Sequence, residues 1–506
     1  MIERRDPSVS AGTNDLSTGE RVAKNSAALF IVAILTKGAG LVMAVLIARY
    51  LGPTALGFYA VVMGLALLVE HIAPLGQPIV IIRELARERT LLFTYWLNTS
   101  LVTLVSSFVL GITLVVIVLL VGYSTKILTS VYVVVLYLPV AGLYAIAQAV
   151  VQGIEQMEYL SISAFIGRVL SLLVLWFLLE LGVGVVAAFI GYGMFYFAGW
   201  LILSWALLRS AGRPTASHGA NLDLYLCWTT LRVSYPFAIQ MLLMNALLIV
   251  SVLVLPILVT METVGMFNAA DRVRQASAMI IPIVVLVILP TLSRTFITDR
   301  DKAVALSETA LKFLQVVILP FVFFVAIAAD QIIPLLYGPG YEAAVPVLRV
   351  VIWAQVFFVA DAILNQIMIA SDNERPMVLR TALSFVANVI LLLVLVPLSG
   401  AVGAAWAVVI TRALNLGLDA EFIDRHIKRV NLVDTMGRPL LCALLAGAAV
   451  FALWDHGLGF LLVVFACSYL VLLLVFRVFS PDEILWVRQL STQLWQRVVA
   501  LREQLH

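Results

Sequence analysis

From residue 24 onward the chain alternates long apolar stretches with short polar joints. About 14 stretches have the roughly 20 residues that a membrane-crossing helix needs. Their approximate limits are 24–48, 56–75, 96–121, 128–151, 161–180, 184–208, 233–259, 264–289, 310–329, 343–370, 377–397, 401–424, 438–455 and 458–479. Lipid cannot satisfy an open backbone, so each stretch is expected to be a continuous helix. The expected fold is an all-α integral membrane protein of about 14 transmembrane helices.

Polar joints give the direction of threading. With the N-terminus inside, about 24 Lys and Arg residues, from Arg4 and Arg5 to Arg380 and Arg502, fall on one face. Only Arg49 and Lys126 fall on the other. That asymmetry is the positive-inside signal, and it predicts a multi-pass protein with both termini cytosolic. Joints on the opposite side are short; the longest is "DQIIPLLYGPGYE".

Internal echoes suggest duplication. "TALGFYAV" (54–61) echoes "ETVGMFNA" (262–269), and "ELGVGVVAAF" (180–189) echoes "LSGAVGAAWA" (398–407). The first pair opens spans two and eight, and the second opens spans six and twelve. The expected organisation is a cytosolic tail (1–23), a first bundle of spans one to six with the central loop (24–232) and a second bundle of spans seven to twelve (233–424). Spans thirteen and fourteen follow, with an amphipathic cytosolic helix (425–506). Repeated halves in a membrane protein point to a transporter with its site between them.

Composition agrees. Of 506 residues 63% are hydrophobic and 12% charged, and the mean hydropathy is +1.07. A soluble chain of this length could not hide that much apolar surface. Three cysteines lie far apart, which favours neither a disulfide framework nor a zinc site. No nucleotide-binding or metalloprotease motif is present, so no cofactor, ATP or nucleic acid is expected, and an enzyme is disfavoured.

The candidate chemistry is the charge inside the spans. Lys37, Arg168, Arg272, Arg274, Arg349 and Arg412 sit in or near apolar segments, where a cation is costly and usually functional. Lys37 shares a stripe with Ser26, Phe30, Ala33, Gly40 and Ala44, which suits a cavity wall or close helix packing. Span eight sets Asn268, Asp271, Arg272 and Gln275 on one face, and Arg274 lies about 200° from Arg272. Asp271 and Arg274 are three apart and can pair. Span twelve repeats that spacing with Arg412, Asn415 and Asp419, and span ten has Asp361 and Asn365. Function and structural pairing are equally open for these two groups. Asp361 and Asp271 are candidate coupling or charge-partner carboxylates, and Asn268, Gln275, Asn245 and Tyr59 are candidate polar positions of the cavity.

The stretches "IARYLGPTALGFYAVVMGLALLV", "PLGQPIVIIRELAR", "VGMFNAADRV", "IIPLLYGPGYEAAVPVLRV" and "GAVGAAWAVVITRAL" occur in an order covering roughly residues 24–424. In that order they resemble the polysaccharide exporter branch of the multidrug/oligosaccharidyl-lipid/polysaccharide (MOP) flippase superfamily, the Wzx-type O-antigen flippases. The resemblance implies two six-helix bundles around a cavity that opens alternately to either side of the bacterial inner membrane. It implies an undecaprenyl-diphosphate-linked oligosaccharide as cargo, lipid II being that of MurJ-like relatives. It also implies a monomer working among membrane lipids and polysaccharide assembly proteins. On this reading Lys37, Arg272, Arg168 and Arg412 hold the cargo's diphosphate. The competing readings are a multidrug/toxin extrusion antiporter of the same superfamily and a membrane-embedded polymerase or glycosyltransferase. The antiporter needs buried carboxylates in the first bundle, where span one carries a lysine and Glu70 falls near a predicted helix end. Two positions depart from the exporter pattern. Pro74 precedes Leu75-Gly76 where relatives often carry an acid, and Val250-Ser251 stands where they often carry Asp-Arg.

Overall fold

A computed structural model describes residues 18–210, 222–278, 299–371, 374–451 and 458–479, with positions 292, 295 and 296 between them. The N-terminal tail to residue 17 and the expected C-terminal amphipathic helix lie outside the described residues. Every regular element among the described residues is helical. The first half holds α1 (Thr18–Ile72), α2 (Gln77–Arg87), α3 (Leu92–Val121), α4 (Thr125–Gly153), α5 (Met157–Glu180) and α6 (Val186–Ser210). The second half holds α7 (Leu224–Leu258), α8 (Met261–Ser277), α9 (Arg300–Ile327), α10 (Ala329–Tyr337), α11 (Ala344–Val351), α12 (Ala354–Ala370) and α13 (Glu374–His426). The helices α14 (Leu432–Phe451) and α15 (Leu458–Val475) pack beside α9.

Among the described residues eight helices are long and apolar enough to cross a membrane, and a ninth if the bent α7 is one span. The chain is a multi-pass membrane protein. Lipid-facing character is plain on α3, where Phe108, Ile112 and Leu120 are exposed. Water would not tolerate such a surface.

Two of the long helices are broken. In α1 the break is Gly52, with φ of 79°. Pro53 follows, and a proline keeps its predecessor out of helical geometry; glycine takes the left-handed alternative without a Cβ penalty. In α13 the break falls at Ser399 and Gly400, two residues after Pro397. Gly182, between α5 and α6, also has positive φ, at 74°. Gly182 and Gly400 occupy matching places in the second sequence echo.

The first echo has a sharper outcome. A Cβ on Gly57 would lie 1.9 Å from the Met261 carbonyl oxygen, and one on Gly265 would lie 1.9 Å from the Pro53 carbonyl oxygen. The echoed glycines therefore meet, each against the backbone four residues before the other. Arg49 Nε and Tyr341 Oη reinforce this end. They donate to Leu336 O at 2.8 Å and to Ala48 O at 3.4 Å respectively.

The far end is closed as well. Gly76, the N-cap of α2, packs so tightly on α7 that a Cβ there would come within 2.4 Å of Ser234 O and 2.7 Å of Ala238 N. At that end Asp299 caps α9 by accepting from the N–H groups of Asp301 and Lys302, both at 3.1 Å. These bonds hold its carboxyl below the usual carboxylate range. Lys428 Nζ reaches Asp301 at 2.8 Å.

Candidate functional site

Between the two closed ends the interior carries buried charge in two kinds of setting. The first is neutralised. Arg274 Nε donates to Asp271 Oδ1 at 2.6 Å, and Gln275 donates to the other oxygen at 2.7 Å. The three-residue spacing brings both partners to one side of α8. Asp271 is thereby a charge partner. In the second half a denser network forms. Ser384 donates to Asn415 Oδ1 at 2.8 Å, Asn415 Nδ2 donates to Asp361 Oδ1 at 2.9 Å, and Asn365 donates to Asp361 Oδ2 at 3.3 Å. Arg380 Nε lies 2.7 Å from Asp419 Oδ1. Sequence reading assigned Arg380 to the cytosolic joints, but it is 8% exposed and sits well inside α13, with its guanidinium 4.1 Å from the Phe422 ring centroid. Residue 380 falls only three positions into the 377–397 stretch, and an arginine so near a predicted boundary reads as interfacial.

Removing one partner of a buried pair strands the other charge, at about 3–5 kcal/mol. Arg380→Ala should therefore lower the thermal unfolding temperature of the purified protein markedly. Arg168→Ala should leave it near the wild-type value. Equal melting curves for Arg380→Ala and wild type would show that the Asp419 pair is not a structural one.

The second setting is unneutralised. Arg168 on α5 is 7% exposed, and its guanidinium sits 3.8 Å from the Phe195 ring centroid and 5.4 Å from that of Tyr192. Its Nε and Nη1 are buried without an acceptor. Arg272 on α8 lies 5.6 Å from the Tyr59 ring centroid, and its Nε is likewise unpartnered. The Tyr59 and Tyr192 hydroxyls face each other at 3.5 Å. Two cations from different halves of the chain are thus joined through a pair of tyrosines. Tyr59 itself is fully buried and stacks near Phe189 at 5.9 Å. Arg412 is buried 4.9 Å from the Phe358 ring centroid, in a small void of about 20 Å³ shared with Asp271 and Arg274. Among the described residues, no carboxylate forms an ion pair with Arg168, Arg272 or Arg412.

The remaining candidates divide. Asn268 is buried with an unpartnered Oδ1. Asn245 donates to Met241 O at 2.8 Å within its own helix. The side chain of Lys37 lies outside the described residues, though its neighbour Thr36 lines a cavity of about 410 Å³ with Arg168, Tyr196 and Met241.

That cavity holds a group the sequence reading undervalued. Glu70 lies inside the first half, where Tyr137 Oη donates to its Oε1 at 2.9 Å and Tyr196 Oη to its Oε2 at 2.6 Å. Glu70 stands two residues before the end of α1, near a helix end as the sequence places it, but it is half-buried and hydrogen-bonded, which weakens the argument against the antiporter.

The profile of the polysaccharide biosynthesis protein family matches residues 22–296, more than half the chain. The chain belongs to that family. Its fold is shared with solved transporters of the MOP superfamily. The lipid II flippase MurJ in an inward closed conformation superposes on this family member with a TM-score of 0.72 and 16% identity, over 90% of this chain and 99% of that one. An inward-facing multidrug resistance MATE family transporter gives 0.63 and 16%, over 79% and 98%. A MOP superfamily transporter from Pyrococcus furiosus gives 0.52 and 14%, over 80% and 95%. No curated protein matches the sequence significantly.

Proposed function

We propose that this chain is a flippase that moves an anionic lipid-linked oligosaccharide, of undecaprenyl-diphosphate type, outward across the bacterial inner membrane for surface polysaccharide assembly. The observation that carries the reading is the presence of buried guanidiniums without carboxylates. Arg168 and Arg272 cost free energy where they stand unless an anion visits them. A diphosphate supplies that anion, and guanidinium–phosphate bonds are among the strong charge-assisted ones. Lys37 is assigned to the same cavity on its sequence position, and Arg412 to its margin. The reciprocal glycine contact supports two related bundles, 24–232 and 233–424, that rock about the cavity. The remaining spans, to a total of fourteen, lie in 425–506. The protein works as a monomer without ATP.

Both termini are assigned to the cytosol, with Gly338–Gly340 outside. A single cysteine at position 339 should react with an impermeant thiol reagent on intact cells; labelling only after permeabilisation would reverse the topology. The functional test is restoration of surface glycan in a strain lacking its own flippase. Resistance to cationic drugs without glycan export would favour the multidrug antiporter, the reading that the half-buried Glu70 supports.

A further inference from the structure

Glu70 and Arg168 face one cavity with opposite charge, yet neither is paired. Glu70 takes one phenol on each oxygen, from Tyr137 and Tyr196. Among the described residues no cation forms an ion pair with it. An ionised carboxylate held only by neutral donors inside a membrane protein is costly. A phenol can donate or accept. When Glu70 is protonated, its own O–H donates to one tyrosine oxygen while the other tyrosine still donates to it. The two tyrosines thus fit both charge states without a broken hydrogen bond. A carboxylate locked by an arginine, as Asp271 is by Arg274, lacks that freedom.

Arg168 supplies the other half of the argument. Its Nε and Nη1 have no acceptor, while Phe195 and Tyr192 fix its plane. An anionic oxygen is the group those donors lack. It would enter the same cavity of about 410 Å³ that Glu70 lines. Two negative charges about 8 Å apart, at an effective dielectric of about 20, repel enough to weaken binding about 30-fold.

We propose that Glu70 is a proton-binding site linked to the anion site at Arg168, taking up one proton when a phosphate-type anion binds. This rests on the flippase reading and adds to it that the cargo's charge is accompanied by a proton. The other titratable and charged groups about Glu70 are Tyr137 and Tyr144 on α4, Tyr192 and Tyr196 on α6, Arg168 on α5, and its neighbour His71, whose Nδ1 lies 2.6 Å from Leu67 O. Phenols and guanidinium hold their charge state between about pH 5 and 9. Glu70 and His71 are left to respond.

The probe is dimethyl diphosphate, whose phosphoryl groups each keep one fixed negative charge over that range. Its binding to the purified full-length protein is measured by calorimetry at about pH 5.5 and 8.5, in buffers of different ionisation enthalpy. Protonation removes the repulsion, so affinity should be higher at the lower pH. Wild type should lose about 30-fold between the two, which by linkage is about half a proton taken up per anion averaged over that range. Glu70→Gln should bind at both pH values as wild type does at the lower one, with no proton uptake. His71→Gln should keep the wild-type slope. A pH-independent wild type, or a slope that survives Glu70→Gln and vanishes in His71→Gln, overturns the proposal and leaves the flippase reading standing. No binding by wild type at either pH overturns both.

Discussion

Gly57→Ala is expected to reduce glycan export at least tenfold while the protein still reaches the membrane. The added methyl would sit 1.9 Å from the Met261 carbonyl oxygen. That atom is backbone, so no rotamer change relieves the clash, and the two helices must part. Overpacking of this kind costs about 1–3 kcal/mol. The open form does not feel it, so the whole cost falls on the closed form. A shift of about 2 kcal/mol lowers the closed population roughly 30-fold relative to open. A carrier that cannot shut one end leaks or stalls. Because the contact is reciprocal, Gly265→Ala should match Gly57→Ala in size. The readouts are export in a strain lacking its own flippase and thiol reactivity of a cysteine placed at Thr263, which should rise. Wild-type export by Gly57→Ala with unchanged reactivity at 263 would remove this contact from the transport cycle.

Removing the charge of Arg272 is expected to have a comparable effect by a different route. At about 4 Å and an effective dielectric near 20, a cation and a phosphate attract by about 4 kcal/mol. Desolvation of both takes back part of this, leaving about 2–3 kcal/mol, or about 30- to 150-fold in cargo affinity. Arg272→Ala and Arg168→Ala should each lose export by that order, with normal abundance, since neither arginine leaves a stranded carboxylate behind. Lys37→Ala should fall in the same class, and Lys37→Arg should retain more. Arg272→Lys should recover only part, because an ammonium lacks the planar fork. Full export by Arg272→Ala at normal membrane levels would leave that guanidinium as packing against Tyr59 alone.

Much of the fold is written in the period and length of the apolar stretches, because lipid admits few backbone solutions. The echoes were legible for a related reason. Glycine at a backbone crossing tolerates no replacement, so Gly57 and Gly265 stand out even between otherwise dissimilar segments. The pairing of Asp271 with Arg274 followed from helical spacing alone. Arg380 and Glu70 were not legible. Both lie where an apolar stretch thins out, and composition reads such a place as the water boundary. α13 begins six residues before Arg380, and Glu70, two residues from the end of α1, is turned toward α4 and α6. The convergence of Tyr137 and Tyr196 on Glu70 joins three helices that are distant in sequence, and no local pattern encodes it.

The turns at Gly52, Gly182 and Gly400 leave almost no chain beyond the helices at their end of the molecule. A surface built of bare hairpins offers little purchase to a protease. The segment around Gly338–Tyr341, where α10 ends and α11 begins, is the larger projection there, and Tyr341 ties it down against Ala48. Limited proteolysis of that end should therefore cut first in that one segment and spare the hairpins.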